Sequence, residues 1–438
     1  MVKLPYKLRK NQGEIISRIS GNLERKNHMV LEAPTGSGKT FTSLAATLPF
    51  AIKKGYKIIY CVRTNSQQEQ VITELNEFKK AGNPITAVAI QGRDSMCPQQ
   101  EYDEELKKSN WSEKSKICKS LKLQTKMGEA GCKYFRKLQA NAGSISKNWS
   151  NKIQSAEEFV KSAKSQEICP YELNKLLIRD AKVVIVPYVY FFQDFIRKYL
   201  LGKMDTSIDK VIAIIDEAHN LPDWSRDAAS DSMTIELLHR ASAESEKYGL
   251  LLADKTPPSH FISQVELALE SLNDFHIPDG EDEGLLPSQV ISLDSEVPTL
   301  ETEMMSLGKM TLFRLKQYAS EISKMGQLIR QDLLDKGKRP RSYLGSLGDF
   351  LCRWFDSIES HNIRIVGQNP VRLEKVCLDP RVMTSFLDET AGVVMMSGTL
   401  SPLSMFRDLI GLKPESDLKR YKSVFPTNNK KVHYINDV

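Results

Sequence analysis

Apolar residues in the first ninety positions alternate between helical and strand spacing. Ile15, Ile16 and Ile19 within Asn11–Leu23 recur as on one face of a helix. Met29–Glu32 reads as a short strand, followed by a Gly-rich turn and a helix from about Lys39 to Lys53. Lys57–Val62 is a second apolar strand and Gln67–Lys80 a further helix. Strand and helix alternating across short loops predict a parallel sheet in an α/β fold. The strand pattern returns at Ala181–Val186, Lys210–Ile215 and Gly392–Met396, so the sheet is expected to be interrupted by two insertions, about 93–172 and 225–375. The second insertion carries amphipathic helical stretches at Phe261–Leu272 and Met304–Leu334, with a Pro- and acid-rich loop around Pro278–Glu283 between them.

Composition narrows the class. The 438 residues suggest about three domains, and 26% charged with 41% hydrophobic residues is ordinary for a folded globular chain. The net charge of +6 is compatible with nucleic acid but too small to argue it. No run approaches the ~18 apolar residues of a membrane helix, and the first residues lack a signal-peptide core. The expectation is therefore a protein with no membrane association, cytoplasmic if prokaryotic and nuclear if eukaryotic. Four of the seven cysteines, Cys97, Cys118, Cys132 and Cys169, fall in the first insertion. They form no C-x2-C pair, and their spacing leaves a four-thiolate metal site and four buried thiols equally open.

Two motifs carry chemistry. Ala33-Pro34-Thr35-Gly36-Ser37-Gly38-Lys39-Thr40 lies between a strand and a helix. In that setting glycines let backbone N–H groups wrap phosphate oxygens, and the helix N-terminus adds its positive end. Lys39 is then expected to reach the β/γ-phosphates and the Thr40 hydroxyl to ligate Mg²⁺. Val211–Ile215 runs into Asp216-Glu217-Ala218-His219, placing carboxylates where parallel sheets bind ligands. Asp216 would hold the Mg²⁺ shell, Glu217 would orient and deprotonate the attacking water, and His219 would report to another element.

These motifs resemble those of DEAH-type superfamily 2 helicases, and further residues narrow the likeness to the XPD-like iron–sulfur DNA helicases. Gln12 matches a glutamine used near adenine, Arg63-Thr64-Asn65-Ser66-Gln67 resembles motif Ia, and Cys169-Pro170-Tyr171 resembles the last cluster cysteine with its sequel. Asp216–Asn220 reads Asp-Glu-Ala-His-Asn, and Ser397-Gly398-Thr399-Leu400-Ser401-Pro402 is similar to the family motif after the second insertion.

The resemblance implies a RecA-like parallel sheet of the P-loop NTPase type, formed by 1–92, 173–224 and 376–400. It implies a helical iron–sulfur domain over 93–172 and a mainly helical arch over 225–375, with 401–438 opening a second lobe. It implies a [4Fe–4S] cluster on Cys97, Cys118, Cys132 and Cys169, with Mg²⁺ and ATP as the substrate of Lys39, Asp216, Glu217 and His219. The implied activity is ATP-driven 5′-to-3′ translocation on single-stranded DNA and unwinding of forked duplexes in DNA repair, by a monomer with repair-protein partners on the arch. Arg63, Thr64 and Tyr188 are the expected DNA contacts. The Lys-rich segment 107–137, with Trp111, Tyr134 and Phe135, is a further candidate. Only 38 residues follow Leu400, and Arg407 and Arg420 lack the context of the family's later motifs. The expectation is an N-terminal portion of a longer protein that unwinds little by itself; the rival reading is a DNA-binding module without motor activity.

Overall fold

The computed structural model describes residues 2–287, 297–336, 338–356 and 361–423. The chain divides into two compact units, Met1–Gln99 with Gly128–Pro222 and Met383–Val438, and Gln100–Met127 with Asp223–Val382.

The first unit has an α/β RecA-like fold. Its strands are β1 (Met29–Glu32), β2 (Lys57–Val62), β3 (Ala87–Ala89), β4 (Val183–Pro187), β5 (Val211–Asp216), β10 (Gly392–Ser397) and β11 (Asp417–Arg420). The intervening strands β6 (Asp231–Thr234), β7 (Glu283–Leu286), β8 (Asn362–Gln368) and β9 (Val371–Cys377) belong to the second unit. The first sheet is wholly parallel in the order β11-β1-β10-β5-β2-β4-β3. Both faces of its central strands are buried, which is why they read as continuous apolar runs. Ile58, Tyr60 and Val62 of β2 share one face with Ile212 and Ile214 of β5, packed in one core with Leu44 and Leu48 of the helix Lys39–Lys53. The register sets Glu32 beside Ser397 and Asp216 beside Met396, so the C-terminal ends of β1, β10 and β5 line up.

The sheet extends further than its apolar pattern indicates. β11 has a half-exposed Asp-Leu-Lys-Arg sequence and joins the edge by pairing with β1. Arg18 holds it through two bonds to Asp417 of 2.5 and 2.6 Å, and the Asn22 amide donates to the same carboxylate at 2.8 Å. Residues up to 423 of the stretch expected to open a second lobe thus stand in the first unit, while 424–438 lie outside the described residues.

The second unit joins an antiparallel sheet, order β6-β9-β8-β7, to a helical core. The arch was expected to be mainly helical; the sheet was hidden because β9 carries charged residues at its half-buried positions and β8 buries one, Arg364. The helices Leu312–Asp335 and Tyr343–Phe355 approach closely at glycines: a Cβ on Gly326 would stand 2.0 Å from the Gly345 Cα. Inside the unit Arg364 pairs with Glu301 at 2.8 Å, both almost wholly buried, and its guanidinium lies 4.7 Å from the Trp354 ring centroid. The Lys-rich helix Trp111–Lys126 from the first insertion belongs here too, with Glu113 paired to Arg339. Residues 128–172 of that insertion fall in the first unit.

Candidate active site

The phosphate turn is built by backbone geometry. Gly36 and Gly38 take φ of +81° and +83°, a region where a side chain is strained. Gly38 then caps the helix Lys39–Lys53, leaving the first N–H groups of that helix without partners inside it. Lys39 donates to the Ala33 carbonyl at 3.0 Å and so lies back across its own loop. Gln12 is buried against this turn: its amide donates to the Ser37 carbonyl at 3.0 Å while its oxygen accepts from the Arg9 N–H at 2.9 Å. It braces the loop directly.

Asp216 ends β5 on the same side of the sheet as Thr40. It is 6% exposed, and burial, reinforced by the neighbouring Glu217 charge, pushes its carboxyl up to about 6, with Lys39 pulling the other way. The Tyr60 hydroxyl reaches Asp216 Oδ2 at 3.4 Å. The Thr40 hydroxyl and the buried Asp216 carboxylate are oxygen donors of the kind Mg²⁺ prefers, so the residues fit that ion.

Glu217 turns the chain in the left-handed region at φ +47°. Its Oε2 accepts from the Ser397 hydroxyl at 3.1 Å, and His219 Nδ1 stands 2.7 Å from the same Oγ. Because the hydroxyl proton goes to Glu217, the imidazole must donate from Nδ1. The Thr399 N–H also donates to that oxygen at 3.3 Å, which saturates it. Thus β10 lies between the phosphate loop and the acidic corner and touches both. From the other side Glu32 accepts from the Leu400 N–H at 2.9 Å and the Ser401 hydroxyl at 2.7 Å, and pairs with Arg420 at 2.7 Å. Ser397, Tyr60 and Glu32 were missing from the expected site. Ser397 lay in a recognised motif, whereas Tyr60 sat within an apolar strand pattern that says nothing about a hydroxyl.

The DNA candidates fare unequally. Arg63 and Thr64 are exposed just beyond β2. Thr64 caps the helix Asn65–Lys80 in a reciprocal box with Gln67, and Arg63 donates to Asn220 Oδ1 at 2.5 Å. Tyr188 needs correction. It is 3% exposed, and its hydroxyl donates to the carbonyls of Asp216 at 2.5 Å and Glu217 at 3.2 Å, so its ring faces no base. Tyr134 is buried as well. The side chain of Trp111 lies outside the described residues.

Cys97 follows the short helix Arg93–Met96, Cys132 caps Lys133–Ala140 and Cys169 caps Pro170–Leu177. Pro170–Leu177 packs on both other helices, and the Cys169 N–H donates to the Tyr134 carbonyl at 3.1 Å. Cys118 lies in the second unit. Among the described residues no group of three or more His, Cys, Asp or Glu stands in a metal-ligating arrangement, so no chemical step is assigned to a cluster. No helix among them is long and apolar enough to cross a membrane.

Residues 60–238 match the DEAD_2 family model and 293–438 the "Helical and beta-bridge domain" model. The chain is similar to the "Regulator of telomere elongation helicase 1 homolog" of Arabidopsis thaliana, 26% identical over 56% of this chain and 26% of that protein. For the Caenorhabditis elegans homolog the values are 25% identity, 69% and 32%, and for the Homo sapiens protein 24%, 53% and 21%. The chain thus spans about a fifth to a third of the length of these relatives. Its fold is shared with a solved XPD helicase, at TM-score 0.59 and 21% identity over 95% of this chain and 62% of that one. A truncated XPD matches at TM-score 0.57 and 20% identity, over 95% of this chain and the whole of that chain. The two domain matches and the relatives thus make the chain similar to helicases of this kind over part of their length, and the solved structures share its fold.

Proposed function

We propose that the chain serves an ATP-dependent DNA helicase that moves 5′-to-3′ on single-stranded DNA and opens forked duplexes, with DNA repair as its setting. The observation that carries this reading is Ser397 of β10, whose hydroxyl donates to Glu217 at 3.1 Å while its carbonyl accepts from the Ala33 N–H of the Gly-rich loop at 3.0 Å. The loop N–H groups and Lys39 would bind the triphosphate, with Gln12 bracing the turn and Pro34 and Thr35 forming its rim. Thr40 and Asp216 would hold Mg²⁺, which when bound neutralises phosphate charge. Glu217, oriented by Ser397, would take the proton of the attacking water. His219 would pass the state of that corner to β10. A complete motor also needs an arginine from a second lobe facing the phosphates; Arg407 and Arg420 are here paired with Asp408 and Glu32. Arg63 and Thr64 are the DNA contacts of this reading, in a monomer that is nuclear in a eukaryote and cytoplasmic in a prokaryote, with repair proteins on the arch.

The cysteines extend the proposal. Cys97, Cys118, Cys132 and Cys169 would hold a [4Fe–4S] cluster in an iron–sulfur domain over 93–172. Four thiols are the donor set such a cluster takes, and three of them flank short helices of which Pro170–Leu177 packs on the other two. Anaerobically purified protein is expected to hold about four irons per chain and to absorb broadly near 400 nm; colourless, iron-free protein would refute the cluster. A strand-displacement assay on a 5′-tailed duplex, run with and without ATP, tests the motor. ATP-independent binding without displacement would favour the DNA-binding module instead.

A further inference from the structure

Two tyrosine hydroxyls reach the acidic corner from inside the protein. Tyr60 is wholly buried on β2, diagonal to Asp216 on β5 and on the same sheet face. Its hydroxyl lies 3.4 Å from Asp216 Oδ2. Tyr188 begins the helix after β4, and its hydroxyl bridges the carbonyls of Asp216 and Glu217 at 2.5 and 3.2 Å. These are the carbonyls on either side of the point where the chain enters the left-handed region at Glu217. Asp216 also accepts from the Glu217 N–H at 3.0 Å, which orients its other oxygen.

We propose that Tyr60 and Tyr188 form a positioning clamp for the cation-binding corner, Tyr60 aiming the Asp216 carboxylate toward Thr40 and Tyr188 fixing the backbone that presents Asp216 and Glu217. Both side chains are buried and act through the acidic pair. A buried phenol needs a hydrogen-bond partner, and each of these phenols finds it in a residue of the corner. Burial drives both phenols far above their ordinary pKa, so they remain neutral donors across the working pH range. The inference rests on the nucleotide reading above and adds to it the residues that set cation affinity.

The test titrates Mn²⁺ into the ADP-bound full chain and follows the free ion by electron paramagnetic resonance. Tyr60→Phe and Tyr188→Phe keep the rings and remove only the hydroxyls. Each is expected to weaken Mn²⁺ about fivefold, the loss of one hydrogen bond to a charged or strained acceptor, while nucleotide affinity in EDTA stays unchanged. Loss confined to Mn²⁺ separates the clamp from general loosening of the core, which would lower nucleotide affinity in EDTA as well. Thermal unfolding reports whether each variant is folded, and should Tyr60→Phe fail there, Tyr188→Phe tests the clamp through the backbone it holds. Unchanged Mn²⁺ affinity in folded variants would overturn the clamp and leave nucleotide binding standing. A wild-type chain that binds no Mn²⁺ with ADP would overturn the nucleotide reading, and the clamp with it.

Discussion

At the scale of single residues, the site works through a few buried polar atoms whose partners decide their state. Arg63 stands at a strand end with its guanidinium on Asn220, and Asn220 in turn donates to the Glu217 carbonyl at 3.1 Å. A phosphate drawn to Arg63 would therefore tug on the acidic corner. Arg63→Ala is expected to weaken single-stranded DNA binding at all sequences alike and to lower the salt slope of log K by about 0.7; a fluorescence-anisotropy titration across salt concentrations checks it. His28 offers a pH test at the end of β1 opposite the Gly-rich turn. It is fully buried, its Nδ1 accepts the Val393 N–H at 3.1 Å, and Nε2 faces Asp388 at 3.0 Å. Burial holds its pKa below the ordinary value, against the pull of Asp388. Between the folded and unfolded pKa the unfolded chain binds more protons, so stability is lost as pH falls below about 6.5. Thermal unfolding from pH 7.5 to 5.5 should show a smaller fall for His28→Gln than for the unaltered protein. Lys39, Thr40, Asp216 and Glu217 were legible in the sequence because their chemistry requires those side chains beside a Gly-rich turn and a strand end. Tyr188 stands in an aromatic run that reads as core more readily than as a stacking platform, and the pattern alone looks the same whether its hydroxyl faces DNA or a carbonyl.

At the scale of elements, periodicity located strands buried on both faces and overlooked those that are not. β1, β2, β4, β5 and β10 all stood out as apolar runs. β3 is only three residues long, and β11 owes its place to a polar anchor, Arg18 with Asp417, which no hydrophobic pattern records. Because that pair is partly exposed, Asp417→Asn is expected to cost about 1 kcal/mol. It should also speed amide exchange at 417–420 before the rest of the sheet. In the second unit the limiting contact is steric. With only 2.0 Å between an added Cβ on Gly326 and the Gly345 Cα, Gly326→Ala forces two backbones apart. A loss of about 2–3 kcal/mol, or separate melting of the second unit, should appear in calorimetry. Helical periodicity marked the two helices but could not show that they cross at a pair of glycines.

At the scale of the whole molecule, the chain threads out of the first unit twice and returns each time to the same parallel sheet, first to add β4 and β5 and then β10 and β11. The first excursion, 100–127, is shorter than the expected cysteine-bearing insertion over 93–172 and carries only Cys118 of its four cysteines. The second was legible as a change from strand to helical periodicity, although its antiparallel sheet was not. What sequence spacing could not supply is how the strand ending in Asp216 comes to lie one strand away from the strand that leads into the Gly-rich turn, which are far apart along the chain. That proximity follows from the parallel order β1-β10-β5-β2, which puts three strand ends side by side and leaves Tyr60 beneath them. The most direct measurement is calorimetric titration of MgATP into the unaltered chain and into Lys39→Ala and Asp216→Asn. One nucleotide per chain, lost in Lys39→Ala and made insensitive to Mg²⁺ in Asp216→Asn, is the result this account predicts. No nucleotide bound by the unaltered chain, or equal Mg²⁺-dependent binding by all three proteins, would contradict it.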